Sequence, residues 1–315
     1  MTPSYLHLYQ SGELQERIDK AFKLLPSCSL CPHNCGVDRL SNEKGICNTG
    51  KHIPVASYSP HFGEEAPLVG QNGSGTIFFG SCNLLCTFCQ NYDISHIEAG
   101  EVSQCTMEQL AEVMLRLQRK GCHNLNLVSP SHVVPQILDA LSIAVSKGFN
   151  LPLVYNTSGY DSIETLEILN GVVDIYMPDF KFWYNETAKQ YTRAEDYGDV
   201  VRNAVKTMYE QVGNLVTDEN TIATRGLLVR HLVMPGYLHE TEKILNFLSE
   251  EISPTCHVNI MDQYRPCGKA EVPIDRCLTG EEFQQALDLA DKTDLVQLNK
   301  KSLSELLRKL GLKLE

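Results

Sequence analysis

The chain of 315 residues has no long hydrophobic run. No stretch approaches the roughly 18 consecutive apolar residues that a membrane-spanning helix needs. The N-terminal segment 1–23 is polar and charged, and it lacks the apolar core of a secretory signal peptide. The sequence therefore predicts a protein without a membrane span that stays in the cytoplasm.

Positive charge is also scarce. Lys and Arg together number 27 against 39 Asp and Glu, which gives a formal net charge of −12. Proteins that wrap DNA or tRNA usually present a basic face, and the sequence contains no nucleic-acid-binding motif. We therefore expect no nucleic-acid partner. The hydrophobic share of 43% is ample for one large domain with an appendage.

Cysteine, by contrast, is abundant. The chain contains 12 cysteines, and seven of them lie between Cys28 and Cys89 in two short-spaced sets. Without a secretory signal, such clustering indicates metal ligation rather than a disulfide framework. A reducing compartment also suits thiolate ligands and an oxygen-sensitive cluster.

The second cysteine set consists of Cys82, Cys86 and Cys89, after a strand-like run that ends at Gly80. The C-x3-C-x2-C spacing places three thiolates in one loop, where they can bind three corners of a [4Fe–4S] cluster. Three ligands leave one iron with an open coordination position, whereas four saturate the cluster. Zinc usually takes four ligands, often as two separated C-x2-C pairs, which this loop does not offer. The spacing therefore favours a cluster that binds a small molecule at its open iron.

This loop resembles the signature of the radical S-adenosylmethionine (SAM) superfamily. The resemblance implies that SAM binds the open iron and is cleaved by one electron to methionine and a 5′-deoxyadenosyl radical. The protein would hold that radical against a hydrogen atom to be abstracted. Phe88 fits the family pattern, in which an aromatic ring just before the last cysteine lies near the adenine. The expected partner is an electron donor such as flavodoxin or ferredoxin.

From residue 76 onward, apolar strand-like runs alternate with amphipathic helices. The six predicted strands are 76–79, 124–128, 151–155, 172–177, 227–234 and 258–261. Two helix starts have the spacing of a capping box, Thr106 with Gln109 and Thr279 with Glu282. A further helix is expected to begin at Asp161 and Glu164.

Six βα units in series predict a parallel sheet covered by helices. The predicted fold class is α/β, a partial (β/α)6 barrel with an N-terminal cysteine-rich extension, because six units are too few for a full eight-stranded barrel. The resemblance implies the same fold, while the pattern alone also allows a doubly wound open sheet. The expected domains are an N-terminal cysteine-rich metal-binding segment over 1–70, the barrel over 71–278 and a C-terminal helical segment over 279–315.

In either fold, functional groups should gather at the carboxyl ends of the strands. The chain most resembles the pyruvate formate-lyase-activating-enzyme-like branch, the glycyl-radical-enzyme activases, over residues 26–266. In that branch an Asp-x-Lys at the end of the fourth strand contacts SAM, and Asp179 and Lys181 match it. The Arg-His-x3-Pro-Gly run of the fifth strand is also similar, which implies that Arg230 and His231 lie near SAM.

The chain departs from that branch at the end of the second strand. Many relatives have Gly-Gly-Glu there, where it receives the amino group of SAM, but this chain has Ser129-Pro130-Ser131-His132. We expect Ser129, His132 or backbone carbonyls to take over that contact. The departure also indicates a subgroup whose substrate is not the usual one.

The N-terminal set, Cys28, Cys31, Cys35 and Cys47, supplies four further thiolates. Four thiolates suit either a closed zinc site or an auxiliary [4Fe–4S] cluster, and the spacing predicts a second metal site without choosing between them. Three more cysteines lie near the C-terminus. Cys256, Cys267 and Cys277 are spaced loosely for a cluster and are read as free or buried thiols, with a C-terminal auxiliary cluster as the alternative.

The predicted function is a radical SAM oxidoreductase that abstracts a hydrogen atom from its substrate. By resemblance, that substrate is a glycine in a glycyl radical enzyme. One alternative is radical SAM modification of a small molecule or another peptide. The other is a non-catalytic iron–sulfur or zinc protein, against which stand Asp179, Lys181 and Arg230, charges that are costly to bury on apolar strands.

Overall fold

The structure is a computed structural model and describes residues 2–96 and 102–298. Its strands are β1 Ile53–His61, β2 Ser74–Phe79, β3 Ser103–Cys105, β4 Leu125–Val128, β5 Leu153–Thr157, β6 Ile175–Pro178, β7 Val216–Thr217, β8 Ala223–Leu232, β9 His257–Met261 and β10 Val296–Gln297. Its helices are α1 Tyr5–Ser11, α2 Glu13–Phe22, α3 Ala66–Val69, α4 Tyr92–Ser95, α5 Met107–Arg119, α6 Val134–Val145, α7 Ile163–Leu169, α8 Asn185–Tyr191, α9 Tyr197–Val212, α10 Leu238–Phe247 and α11 Gly280–Ala290. A π-helical turn, Leu248–Ile252, follows α10.

Six parallel strands form the centre of the sheet, in the order β2-β4-β5-β6-β8-β9. Spatial neighbours follow each other along the chain, as successive βα units require. Among the described strands the sheet ends in β3 on one side and β10 on the other, so it is open. The predicted α/β class, the partial (β/α)6 barrel and all six predicted strands are confirmed.

The N-terminal part of the chain extends this sheet. Strand β1 pairs antiparallel with β2, and β3 pairs with β1. The sequence analysis did not predict β1, which carries Pro54 and Pro60 and is buried only in its first half. Such a pattern is typical of a strand near a sheet edge. The proposed domain boundaries stay a prediction, and residues 299–315 of the expected C-terminal segment lie outside the described residues.

The capping boxes at Thr106 and Thr279 are both confirmed. The predicted helix start at Asp161 is wrong, because α7 is capped by Ser162, whose hydroxyl accepts the Thr165 backbone N–H. Asp161 is instead buried and accepts hydrogen bonds from Tyr155 and Thr157. Asp161 therefore accepts its hydrogen bonds from residues of β5, while the neighbouring Ser162 caps the helix.

The strand register brings the carboxyl ends of the parallel strands to one rim. Phe78 pairs with Val128, Val128 with Asn156, and Asn156 with Met177. An isolated bridge then joins Asp179 to Arg230. Side chains just beyond these positions face a common space.

No helix in the described part of the chain is long and apolar enough to cross a membrane.

Candidate active site at the carboxyl ends of the strands

The cysteine loop follows β2 and is held against the barrel by backbone hydrogen bonds. Ser81 and Leu85 both lie in the left-handed region, with φ of 68° and 50°. Thr87 N–H donates to Tyr191 O, and Arg193 N–H donates to Leu84 O. A leucine with positive φ is uncommon and indicates that the surroundings impose the conformation. The contacts of the loop with the barrel therefore impose its conformation.

One cavity of about 370 Å³ lies at this rim, and the Cys82, Cys86 and Cys89 side chains all line it. Burial raises the pKa of Cys82 to about 11 and raises that of Cys86 well above its ordinary value. Thiols in such surroundings stay neutral at pH 7 until a metal displaces their protons. Among the described residues, no three His, Cys, Asp or Glu side chains form a group that could hold a single metal ion. A cubane cluster needs no such group, because each thiolate binds a different iron.

Four charged side chains line the same cavity and form one ion-pair network. Asp179 accepts from Lys181 Nζ at 2.6 Å and from Arg230 Nε at 2.7 Å. Arg230 Nη1 lies 3.6 Å from Glu64 Oε2, and its Nη2 donates to Asn156 Oδ1 at 2.9 Å. The side chains are between 8% and 19% exposed. Two positive and two negative groups in one nearly dry wall suit a zwitterionic ligand.

Burial and the ion pairs of this network shift the pKa values of its members in different directions. Burial would raise the pKa of Asp179, but Arg230 and Lys181 outweigh it and lower the pKa to about 2. Burial opposes the charge of Lys181, yet Asp179 raises its pKa. Burial raises the pKa of Glu64, and the attraction of Arg230 offsets only part of that. At neutral pH the Asp179 carboxylate is thus held ionised beside two cations.

Asp179 should make the stability of the metal-free protein depend on acid pH. Its folded pKa of about 2 lies below the ordinary 3.8, so the unfolded state binds the proton first. The stabilisation is present above the ordinary value and is lost as the pH falls from about 4 to about 2. We expect the urea midpoint of the wild type to fall more steeply in that window than that of Asp179→Asn. Parallel curves would contradict this assignment.

The structure places the predicted site residues in two groups. Phe88 and Ser129 line the cavity, as do Asp179, Lys181 and Arg230. Phe88 packs edge-on against Phe182 at 5.8 Å, and Ser129 has a left-handed φ of 58°.

His132 and His231 do not line the cavity. His231 is buried between Phe180 O and Thr241 Oγ1, at 2.8 and 2.9 Å. His132 is buried with its Nε2 at 2.9 Å from Gly80 O, and burial and Arg39 lower its pKa to about 3. Both rings thus contact the backbone behind the site, and their predicted proximity to SAM stays a prediction.

Glu64, Asn156 and Arg39 were not among the predicted site residues. Glu64 lies in the loop between β1 and α3, and nothing in its neighbourhood resembles a motif. Asn156 is the last residue but one of β5, the third parallel strand, and its place at the strand end was the one available signal. Arg39 lies inside the N-terminal cysteine set and is only 1% exposed. The role of each of these residues is recognised only from partners that are distant from it in the sequence.

The C-terminal cysteines form no single-ion metal site within the described residues, a criterion that does not test a cluster, so the alternative of a C-terminal auxiliary cluster stays a prediction. Cys256 is buried, Cys267 half-buried and Cys277 exposed.

Trp183, the only tryptophan, packs under Arg202 at 4.3 Å and stacks on Phe180 instead of lining the cavity.

Comparison with known proteins places these features in a family. A family model, that of the Radical SAM superfamily, matches residues 76–248. An uncharacterized protein of Methanocaldococcus jannaschii is 36% identical over 294 residues, which is 90% of this chain and 79% of that protein. A second uncharacterized protein of the same organism is 27% identical over 158 residues, 45% of this chain and 46% of its own.

Two solved structures align with part of the chain. Native anSMEcpe with bound AdoMet aligns at a TM-score of 0.47 with 11% identity, over 68% of this chain and 57% of that chain. HydG, a maturase of the [FeFe]-hydrogenase, aligns at 0.47 with 16% identity, over 89% of this chain and 61% of its own. This chain therefore spans less than two thirds of the length of either.

Proposed function

The chain belongs to the radical SAM superfamily, and on that premise we propose that it abstracts a hydrogen atom from a glycine α-carbon in a partner enzyme. Its cofactors are a [4Fe–4S] cluster and SAM, and as in the superfamily generally an electron donor such as flavodoxin or ferredoxin is needed. One observation supports the proposal above others. Three thiols and a zwitterionic set of charges line one cavity at the carboxyl ends of the strands.

The described residues fit both groups. The Cys82, Cys86 and Cys89 thiols would hold the cluster, and their number leaves one iron without a protein ligand. When bound, the reduced cluster supplies the electron that cleaves SAM to methionine and the 5′-deoxyadenosyl radical. Lys181 and Arg230 offer cations to the SAM carboxylate, and Glu64 and Asp179 offer anions to its ammonium and sulfonium. Leu84, Val128, Leu232 and Met261 also line the cavity, and their apolar side chains would exclude water from bound SAM.

The finer part of the proposal, a glycine substrate, rests on sequence resemblance. Asp179-x-Lys181 and the run from Arg230 to Gly236 are similar to the glycyl-radical-enzyme activases. The open sheet supports it as well, because a partner's backbone loop needs an unobstructed rim. Glycine has no side chain, so its α-carbon approaches a confined site more closely than that of any other residue.

The test is anaerobic reconstitution with iron and sulfide, followed by dithionite reduction in the presence of SAM. We expect release of 5′-deoxyadenosine. A peptide that carries the glycine loop of a glycyl radical enzyme, deuterated at the glycine α-carbon, then identifies the substrate. Deuterium in 5′-deoxyadenosine and a glycyl signal in electron paramagnetic resonance are expected. Abundant 5′-deoxyadenosine without deuterium would overturn the glycine substrate but leave the SAM cleavage standing.

Glu64 is our candidate for the contact with the SAM ammonium that Gly-Gly-Glu makes in many relatives. Glu64→Gln removes the charge at nearly constant volume and should weaken SAM binding about 10- to 100-fold, the usual worth of a hydrogen bond to a charged group. Equilibrium binding of SAM to the reconstituted protein measures this.

Glu240→Gln is the matched control, because Glu240 is buried, accepts the Trp183 backbone N–H and does not line the cavity. Ser129→Ala tests the alternative from the sequence. If Ser129→Ala weakens binding more than Glu64→Gln does, the ammonium contact belongs to Ser129.

A further inference from the structure

The four N-terminal cysteines lie in one folded turn, which we call the cysteine knuckle (residues 28–50). Cys28 N–H donates to Val37 O, and Gly36 N–H donates back to Cys28 O. Cys28, Cys31 and Cys47 are each 7% exposed. Burial raises the pKa of Cys31 to about 12, and the other three thiols of the set lie close enough to contribute.

The backbone of the cysteine knuckle is bent to bring these thiols together. Asn34, Asn42 and Asn48 all have positive φ, at 43°, 66° and 51°. Gly45 passes so close to Cys35 that an added Cβ would lie 2.6 Å from its Sγ. Left-handed conformations outside glycine carry a conformational cost. Three of these thiols are buried and Cys35 is half-buried, yet only Cys28 belongs to an apolar cluster here, whose other buried members are Leu25 and Leu30.

Arg39 gives a second, independent reason to expect an anion here. Its side chain is 1% exposed, and its guanidinium donates to Gly50 O at 3.1 and 2.7 Å and to His132 O at 2.7 Å. In the described part of the chain it forms no ion pair with a carboxylate. A buried cation that contacts only carbonyls lacks a counter-charge. Arg39 acts electrostatically on Cys47 and lowers its pKa against the effect of burial.

We propose that Cys28, Cys31, Cys35 and Cys47 hold a second iron–sulfur cluster, a [4Fe–4S] centre with four protein thiolates. The net negative charge of such a centre supplies the counter-charge of Arg39. Zinc requires four ligands converging on one ion, and no such group exists in the described residues. The catalytic thiols also fail that single-ion criterion, as expected where each thiolate binds its own iron.

The cysteine knuckle also holds the catalytic loop at two points. His33 Nε2 lies 2.7 Å from Asn83 O, between Cys82 and Cys86. Arg39 binds His132, whose ring binds Gly80 O just before the loop. The second cluster thus positions the catalytic loop from both sides of Cys82. No electron transfer between the centres is needed for this role.

The test uses the full chain with Cys82→Ala, Cys86→Ala and Cys89→Ala combined, which leaves the cysteine knuckle intact. After anaerobic reconstitution we expect about four irons and four sulfides per chain. The electron paramagnetic resonance of the reduced centre should not respond to SAM, because four thiolates leave no open iron. About one zinc per chain, or no metal at all, would overturn the proposal.

A second pair of variants keeps the result independent of folding. Cys31→Ala with Cys47→Ala should lose about four irons relative to the wild type and speed hydrogen exchange over residues 80–89. Cys122→Ala with Cys256→Ala is the control, because both thiols are buried elsewhere, and it should keep the wild-type iron count. If the first pair keeps wild-type iron, these thiols are not ligands. Unchanged exchange would rule out the positioning role.

Discussion

Cys86→Ala is expected to reduce 5′-deoxyadenosine release to the background of cluster-free protein. Cys86 is the central thiol of the catalytic loop and is 7% exposed on the wall of the cavity. Without it the loop offers two ligands, which is too few to hold the catalytic cluster and leave one iron open for SAM. The measurement is chromatography of the reaction after reduction with dithionite, beside iron and sulfide counts.

Cys122→Ala is the matched control, because it deletes the same atoms from a thiol that is 3% exposed in the core. Both variants should lose a similar amount of stability through the small cavity left behind, and only Cys86→Ala should lose 5′-deoxyadenosine. Circular dichroism checks that each variant is folded. If Cys86→Ala released 5′-deoxyadenosine at the wild-type level, the assignment of the catalytic cluster to this loop would be wrong.

Arg230→Met should destabilise the metal-free protein and weaken SAM binding together. Arg230 joins Asp179, Asn156 and Glu64 in the cavity wall. Breaking a buried ion pair costs about 3–5 kcal/mol, because the partner stays buried without its counter-charge. We expect the lower end, about 3 kcal/mol, since Lys181 still pairs with Asp179.

Urea unfolding of the metal-free proteins measures the first effect, and equilibrium binding of SAM to the reconstituted proteins measures the second. Arg119→Met is the control, because Arg119 forms an ion pair with Glu112 at an exposed position, where the two side chains are 60% and 41% exposed. Exposed pairs contribute little, so its midpoint should stay close to the wild type. Equal losses from both variants would mean that the Arg230 network carries no special electrostatic stabilisation.

Features that depend on short-range pattern were predictable. The six parallel strands follow from their apolar runs, and the capping boxes follow from residues three positions apart. The helix start at Asp161 was wrong because two neighbouring residues both have the chemistry of a cap, and only the buried partners Tyr155 and Thr157 decide between them. Strand β1 was missed because its burial pattern depends on a neighbour outside the local sequence.

The sequence by itself predicted the chemistry of the loop that carries Cys82, Cys86 and Cys89. Cys82, Cys86 and Cys89 lie within one short segment, so their spacing alone predicts that the three thiolates can bind three irons of one cluster. It also predicted that Asp179 and Lys181 directly follow a strand, and hence that they lie at the rim formed by the carboxyl ends of the strands.

Only the tertiary structure decided which charges share the cavity and what holds the loop. Glu64 meets Arg230, and Arg39 meets His132, across long stretches of chain and without any motif. Such pairs form because the sheet register brings distant strand ends to one rim, where a buried charge must find a counter-charge or a hydrogen-bond partner. Periodicity and spacing describe what is near in sequence, whereas burial selects partners that are near in space.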